Sequence, residues 1–160
     1  MLDAGDPALD FDLPRPTAGG SETYRLSAAA REGPVVLAFY PVTDTAESAK
    51  LLREIASVDW GAVTDRLSVL AVGVGDRASH DRLAEQVDVP FPLLLDQDGF
   101  FAERYGILEP LDERTIRVRP ALFVVGEDCF VRYAWAAGDS AQNPGEDLPL
   151  DEIRSAVASG

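Results

Sequence analysis

The segment from Pro41 to Ser48, which reads PVTDTAES, has residue types and spacing that suit contact with an oxygen-containing ligand or an anion. It places the hydroxyl groups of Thr45 and Ser48 in the first turn of a predicted helix, where free backbone N–H groups bind anions. The same hydroxyl groups would also satisfy those N–H groups as helix caps, so capping is the alternative role of both residues. Ser48 is not predicted to be a nucleophile, because no histidine lies near it in sequence to act as a base.

Cysteine and histidine, the usual residues of redox and metal sites, occur once each, as Cys129 and His80. A single cysteine excludes an internal disulfide, and a single histidine excludes a multi-histidine metal site. Cys129 follows Glu127 and Asp128 at a predicted turn, where acidic neighbours raise the pKa of a thiol. We therefore expect no metal and no other cofactor, an inert Cys129 and a solvated or capping His80, with a redox role for Cys129 as the alternative.

The composition of the 160 residues predicts one acidic domain, with 28 acidic against 14 basic residues and a net charge of -14. A surface of this charge repels nucleic acid and anionic lipid, so we expect neither as a partner. The single lysine, Lys50, and the many carboxylates resemble proteins of salt-adapted (halophilic) archaea, with a high-GC bacterial genome as the alternative. The acidic start and the short apolar runs lack a signal peptide or a membrane span, which leads us to expect a cytoplasmic protein.

A strand and a helix must position the segment from Pro41 to Ser48. The apolar run from Val35 to Tyr40 predicts a strand buried on both faces, and apolar residues at helical spacing predict a helix from Asp44 or Thr45 to about Val58. Further patterns predict an extended segment over 5–14, a helix over 28–32, strands over 67–74 and 91–95, helices over 79–87 and 100–105, a hairpin over 121–125 and 130–135, and a helix over 149–159. This order predicts an α/β protein with a central mixed β-sheet flanked by helices, in the order of the thioredoxin fold with an N-terminal extension.

Several segments in this order also resemble the peroxiredoxins, the alkyl hydroperoxide reductase and thiol-specific antioxidant (AhpC/TSA) family. The matching segments are GDPALDFDL at 5–13, PVVLAFYP at 34–41, PFPLLLD at 90–96, DG at 98–99, YGI at 105–107, LFVV at 122–125 and VRYAW at 131–135. Each segment is a weak signal by itself, but their shared order covers most of the chain. The resemblance implies a thioredoxin-like fold and the activity of an antioxidant oxidoreductase that reduces peroxides with a thiol.

The resemblance also assigns roles to individual positions. It implies that Pro41 shields the reactive group in a pocket that adjoins Tyr40, that Thr45 hydrogen-bonds the peroxide, and that Arg119 stabilises the developing negative charge. Ser48 stands where the family has its peroxidatic cysteine, so the reactive thiol is missing from its usual place. Two further positions differ: Arg53 stands at the place of a resolving cysteine, and Pro120 stands at the place of the family arginine, one residue after Arg119.

These differences favour a binding or regulatory pseudo-enzyme that lacks ordinary peroxidase activity and contacts a peroxide-like or small anionic ligand. The alternative is an active antioxidant enzyme, either because Ser48 is an engineered replacement of cysteine or because Cys129 is the redox thiol. A third hypothesis is an inert subunit that dimerises with an active paralogue. A homodimer is also expected among the partners, since family members associate through loop faces or sheet edges.

Overall fold

The computed structural model describes residues 1–17, 20–43, 45–110, 112–137 and 148–158, with the backbone alone described at positions 17, 20, 21 and 45. The strands are β1 (Asp12–Thr17), β2 (Gly20–Arg25), β3 (Val35–Pro41), β4 (Ser68–Val74), β5 (Leu93–Asp96), β6 (Leu108–Pro110), β7 (Ile116–Val118), β8 (Ala121–Val125) and β9 (Val131–Ala136). The helices are α1 (Leu26–Glu32), α2 (Thr45–Ala56), α3 (Arg77–Gln86), α4 (Phe100–Tyr105) and α5 (Leu150–Ala158), and a 3₁₀ turn covers Trp60–Ala62. Within the described ranges, no helix has the length and apolar character needed to cross a membrane.

Five strands form a mixed sheet in the order β5-β4-β3-β8-β9. Strand β3 is parallel to β4, and β4 is parallel to β5, whereas β8 is antiparallel to both β3 and β9. The helices between the parallel strands make the crossover connections that parallel pairing requires. The predicted α/β architecture with a central mixed sheet is therefore confirmed.

The alternating side chains of β3 divide the core into two layers. Val35, Leu37 and Phe39 face a first layer that is completed by the N-terminal segment, α1 and α4. Their neighbours Val36, Ala38 and Tyr40 face a second layer that is completed by α2, α3 and α5. Because both faces of the strand are covered, every residue from 35 to 40 has no exposed surface. The end of β3, where the loop to α2 begins, is thus fixed from both sides.

Two pairs of strands were not predicted. Strands β1 and β2 pair as an antiparallel ladder that joins residues 12–17 to residues 20–25, and β6 and β7 form a short antiparallel pair. The start of α3 was also predicted wrongly, because the helix begins at Arg77 and not at Ser79. Asp76 is its N-cap and accepts a hydrogen bond from the Ser79 amide at 2.8 Å, so the cap lies three residues earlier than the predicted one.

Candidate functional site

Ser48 is completely buried in the first turn of α2. Its hydroxyl Oγ donates a hydrogen bond of 2.6 Å to the carbonyl oxygen of Pro41, the last residue of β3. The bond closes the loop by joining the end of the strand to the start of the helix. In the described part of the chain this hydroxyl has no other hydrogen-bond partner, so its proton is directed at the backbone and not at a ligand.

The structure describes the side chain of Tyr40 but not that of Thr45, two other residues predicted near Ser48. Asp44 and the side chain of Thr45 lie outside the described residues, so the predicted contact of Thr45 with a ligand stays a prediction. Tyr40 is fully buried in the second layer, and its hydroxyl has no hydrogen-bond partner among the described residues. Burial raises the pKa of Tyr40 far above its ordinary value. Tyr40 is therefore a neutral core residue behind the loop.

Arg119 forms its side-chain hydrogen bond with a backbone carbonyl and not with Ser48. Its neighbours Val118 and Pro120 line a cleft beside Pro41, whereas Arg119 does not. Its guanidinium Nε donates to the carbonyl oxygen of Ala137 at 3.1 Å. The described residues contain no hydrogen bond between Arg119 and Ser48.

The cleft has a volume of about 650 Å³ and opens beside the loop, where four segments of the chain meet. Its walls come from the loop and α2, the end of β4, the turn before α4 and the strands β6 and β7. They comprise Pro41, Thr43, Glu47, Val74, Gly75, Gln97, Asp98, Gly99, Leu108, Ile116, Arg117, Val118 and Pro120. Of the residues predicted for the site, Pro41 lies in the wall, whereas Ser48, Tyr40 and Arg119 do not line it.

The charged groups of the cleft favour a ligand that is not an anion. Glu47 and Asp98 contribute two exposed carboxylates, and Arg117 contributes one guanidinium. Nitrogen Nη1 of Arg117 lies 3.8 Å from Oε2 of Glu109, which partly neutralises its charge. The apolar side chains of Val74, Leu108 and others form the rest of the wall. The arrangement suits a neutral or cationic molecule, because a carboxylate repels an anion at short range.

Cys129 does not line the cleft and lies in the turn between β8 and β9. This turn follows the end of β8 that is remote from Pro120, and Cys129 adopts a positive φ of 63° there. Partial burial and the carboxylates of Asp10 and Asp128 raise the pKa of its thiol. The predicted direction of this shift is thus confirmed, with burial as the largest cause. A thiol with a raised pKa carries little reactive thiolate at neutral pH.

The sequence prediction was wrong about His80, which is neither solvated nor a cap. Only 2% of its surface is exposed, and neither ring nitrogen makes a hydrogen bond of ordinary length among the described residues, although the Leu93 and Leu94 backbone and the Asp81 carboxylate lie near the ring and favour its charged form. Nδ1 lies 3.7 Å from Oδ1 of Asp81, which is too long for a hydrogen bond. His80 shares the spacing of Leu83 and Val87, which are buried on the same helix. This helical periodicity was the signal for its burial.

Comparison with known proteins identifies relatives of the chain. A family model described as the AhpC/TSA family matches residues 4–134, a range that includes the loop, the cleft and the β8–β9 hairpin. A candidate peroxiredoxin of Mycobacterium tuberculosis is 30% identical over 134 residues, which cover 79% of this chain and 80% of that protein. The sequence resemblance to peroxiredoxins is thus supported over most of the length of both chains.

Solved structures with the same fold are also found. Peroxidoxin BcpB of Mycobacterium tuberculosis has a TM-score of 0.65 and 24% identity, over 99% of this chain and 98% of its own. A candidate thiol:disulfide interchange protein, DsbE of Chlorobium tepidum, has a TM-score of 0.69 and 20% identity, over 98% of this chain and 99% of its own. At these identities the likeness supports the fold alone. The predicted thioredoxin-like fold is confirmed.

Proposed function

The chain belongs to the AhpC/TSA family, and we propose that it is a binding or regulatory member that does not reduce peroxides through residue 48. The observation that carries this proposal is the hydroxyl of Ser48, which is buried and donates to the Pro41 carbonyl at 2.6 Å. A peroxidase of this family needs a thiolate at this position. A serine hydroxyl is not converted to a comparable anion by a helix N-terminus, whereas a cysteine thiol is.

The groups around position 48 support the same proposal. Arg119 donates from Nε to the Ala137 carbonyl, just after β9, and makes no hydrogen bond to Ser48 among the described residues. Pro120 stands where the family arginine is expected and presents an apolar ring to the cleft. Arg53, at the place of a resolving cysteine, donates to the carbonyl of Gln86 at 3.2 Å. Arg53 and Arg119 therefore each donate to a backbone carbonyl, which supports a structural role for both side chains.

The cleft beside Pro41 is the proposed ligand site. Its carboxylates, Glu47 and Asp98, and its apolar walls favour a small neutral or cationic ligand. A neutral peroxide-like molecule fits this description. The small anion that was also expected from the sequence fits less well, because Arg117, the guanidinium of the cleft, is paired with Glu109. The bound ligand would contact the loop without meeting a nucleophile, which is the property of a sensor or a carrier.

The alternative enzyme hypothesis requires a reactive thiol at Cys129. Burial and the neighbouring carboxylates raise the pKa of this thiol, which argues against rapid reaction with peroxide. Among the described residues, no second thiol and no activating base lies beside Cys129. The other form of the alternative, an engineered serine at position 48, predicts that the source gene encodes cysteine there. Sequencing that gene decides this form directly.

The test compares peroxide consumption by three proteins: the wild type, Cys129→Ser and the double variant Ser48→Cys/Cys129→Ser. With dithiothreitol or thioredoxin as the electron donor, the wild type should consume no more peroxide than its heat-denatured control. The Cys129→Ser variant should not differ from the wild type. The double variant should stay within about twofold of the Cys129→Ser variant, because a thiol at 48 is buried beside a carbonyl and lacks a facing arginine.

Steady turnover by the wild type would contradict the proposal. If that turnover disappears in Cys129→Ser, the redox thiol is Cys129 and the enzyme hypothesis holds. Strong activity in the double variant would show instead that the pocket still activates a thiol and that the serine alone silences it.

The proposal also includes association with a second protein chain. A homodimer or a dimer with an active paralogue would both bring a second loop or sheet edge against this chain. Light scattering of the purified protein should give the mass of a dimer in the first case. Co-purification of a cysteine-containing family member from the source cell should identify the second case, and a monomer with no such companion would contradict both.

A further inference from the structure

A second cavity lies at the opposite edge of the sheet from β9, between β1, α3 and the segment that leads into β5. Its volume is about 240 Å³, which is slightly below the range of pockets for drug-sized ligands and suits a fragment-sized molecule. The walls are formed by Arg15, Pro16, His80, Ala84, Val87, Asp88, Val89, Phe91 and Leu93. Most of them are apolar, with a few polar groups at defined places, as in small-molecule sites generally.

His80 is the polar group at the inner wall of this cavity. Only 2% of its surface is exposed, and neither ring nitrogen makes a hydrogen bond of ordinary length in the described residues, although the backbone of Leu93 and Leu94 lies near the ring. A buried polar group without a partner costs about 1–3 kcal/mol, so native proteins rarely keep one. A ligand in the cavity would supply the missing partner. Burial also lowers the pKa of His80, so the free protein holds a neutral imidazole with one N–H donor.

Arg15 is the cation at the outer wall. It belongs to β1, it is half-buried, and it forms no ion pair with any described residue. Asp88 also lines the cavity, but it is exposed and has no ion pair with Arg15 in the described part of the chain. A guanidinium presents parallel N–H donors that match a carboxylate. The cavity thus holds a guanidinium without an ion pair to any described residue and a buried imidazole, with the apolar side chains of Val87, Phe91 and Leu93 among its walls.

We propose that this cavity is a second ligand site that binds a small monocarboxylate with an apolar tail, its carboxylate held by Arg15 and His80 and its tail against Phe91 and Leu93. The site does not include residue 48 and does not depend on the function proposed for the cleft. An ammonium ligand would meet the guanidinium at the same charge, and a neutral alcohol would leave the guanidinium without an anion. Asp88 opposes a bound carboxylate, but the donors of Arg15 and His80 match a carboxylate better than its neutral or cationic analogues.

Binding should be linked to the protonation of His80. The charged or titratable groups around its ring are Asp81 on its own helix, Asp88 after that helix and Arg15 from β1. The neutral Tyr40 of β3 also lies nearby, because its ring and that of His80 both approach Gly73. A bound carboxylate adds a negative charge beside the ring and so favours the imidazolium form. The pKa of His80 should rise on binding, and the affinity should increase as the pH falls below neutrality.

The test uses the fact that His80 is the only histidine of the chain, so every imidazole NMR signal belongs to this cavity. Sodium benzoate is the probe, with benzyl alcohol and benzylamine as analogues that keep the ring and change the charge. Benzoate should shift the imidazole signals in a saturable way with a Kd of about 1 mM or below. The two analogues should bind at least about tenfold more weakly.

Two variants locate the site. Arg15→Gln removes the guanidinium and should weaken benzoate binding at least about tenfold. Arg154→Gln is the matched control, because Arg154 is an exposed arginine on α5 that pairs with Asp151, and its removal should leave the affinity unchanged. The proposal is overturned if benzoate does not shift the imidazole signals, if the analogues bind equally well, or if Arg15→Gln binds like the wild type. Far-UV circular dichroism confirms that each variant is folded.

Discussion

Ser48 and His80 are both buried polar side chains, but their hydrogen bonding differs completely. The hydroxyl of Ser48 is bonded to the Pro41 carbonyl at 2.6 Å, whereas both nitrogens of His80 lack a partner in the described residues. A buried hydroxyl whose proton is already donated stabilises the fold and has no proton left to donate to a ligand. An unsatisfied buried group destabilises the fold and retains its capacity to bind. The position that the family resemblance singles out is thus hydrogen-bonded to the backbone, whereas His80 makes no hydrogen bond of ordinary length within the described residues.

We expect the largest loss of stability from a substitution that places an additional atom against His80. A Cβ atom at Gly73 would lie 2.8 Å from Cγ1 of Val42, 3.0 Å from Cδ2 of His80 and 3.2 Å from Cε2 of Tyr40. Gly73→Ala should therefore lower the free energy of unfolding by about 1–3 kcal/mol, measured by urea denaturation with circular dichroism. It should also shift the imidazole NMR signals of His80.

Gly61→Ala is the matched control, because an added Cβ there meets only Oδ1 of Asp59, at 3.5 Å. Its effect should remain within about 0.5 kcal/mol. Equal stability of the two variants would show that the Tyr40 and His80 side chains move apart freely, and that their packing is looser than the described contacts.

The next effect tests the structural role of Ser48. Ser48→Ala removes the donor from the Pro41 carbonyl at a buried position, and should lower the free energy of unfolding by about 1–2 kcal/mol. Ser57→Ala is the matched control, since its Oγ also donates to a backbone carbonyl, that of Glu54 at 2.7 Å, but at an exposed position. The control should cost less than about 0.5 kcal/mol, because water replaces the lost partner. A Ser48→Ala variant as stable as the wild type would remove the structural explanation for the serine.

The smallest effect concerns pH and the replacement of His80 by an apolar residue. Burial lowers the pKa of His80 below its ordinary value of 6.5, so the unfolded chain binds a proton at a higher pH than the folded chain does. The free energy of unfolding should therefore fall as the pH decreases below about 6.5, by at most about 1.4 kcal/mol per pH unit. His80→Leu should remove this part of the pH dependence.

The comparison of His80→Leu with the wild type isolates this single group, because the carboxylates of the chain titrate in both proteins. At about pH 7.5 the variant should be at least as stable as the wild type, because it replaces a buried polar group that makes no ordinary hydrogen bond within the described residues. If the two proteins lose stability in parallel between about pH 7.5 and about pH 5.5, His80 is not the buried neutral group described above.

The sequence predicted the parts of the fold that depend on local patterns. The run from Val35 to Tyr40 is apolar on both faces, and the helix that contains Ser48 has regular apolar spacing, so both elements were predicted nearly to their ends. The extended segment predicted over 5–14 includes only the first three residues of β1 (Asp12–Thr17) and was given no partner. Pro14 and Pro16 argue against a paired strand, but they lie two residues apart, so both lack their N–H on the same edge. The other edge remains able to pair with β2.

The candidate site was harder to predict because its properties depend on which way a side chain points. The alignment placed Arg119 within one residue of the family position, yet its side chain bonds to the Ala137 carbonyl and does not line the cleft. The partner of the Ser48 hydroxyl depends on how the loop closes between β3 and α2, which no local pattern specifies. His80 was interpreted from the polar residues around it, although its spacing with Leu83 and Val87 indicated burial.

The two-layer core has a consequence for spectroscopy. Both tryptophans belong to the second layer: Trp135 is buried in it, and the half-buried Trp60 packs against it while its indole N–H donates to the Ile55 carbonyl at 3.0 Å. The first layer holds Phe39, Tyr105 and Phe123 in mutual ring contact and no tryptophan. Tryptophan emission therefore reports on one side of the sheet alone. If the N-terminal segment and α4 separated from the other side, the fluorescence would stay constant while the near-ultraviolet signal of Tyr105 changed.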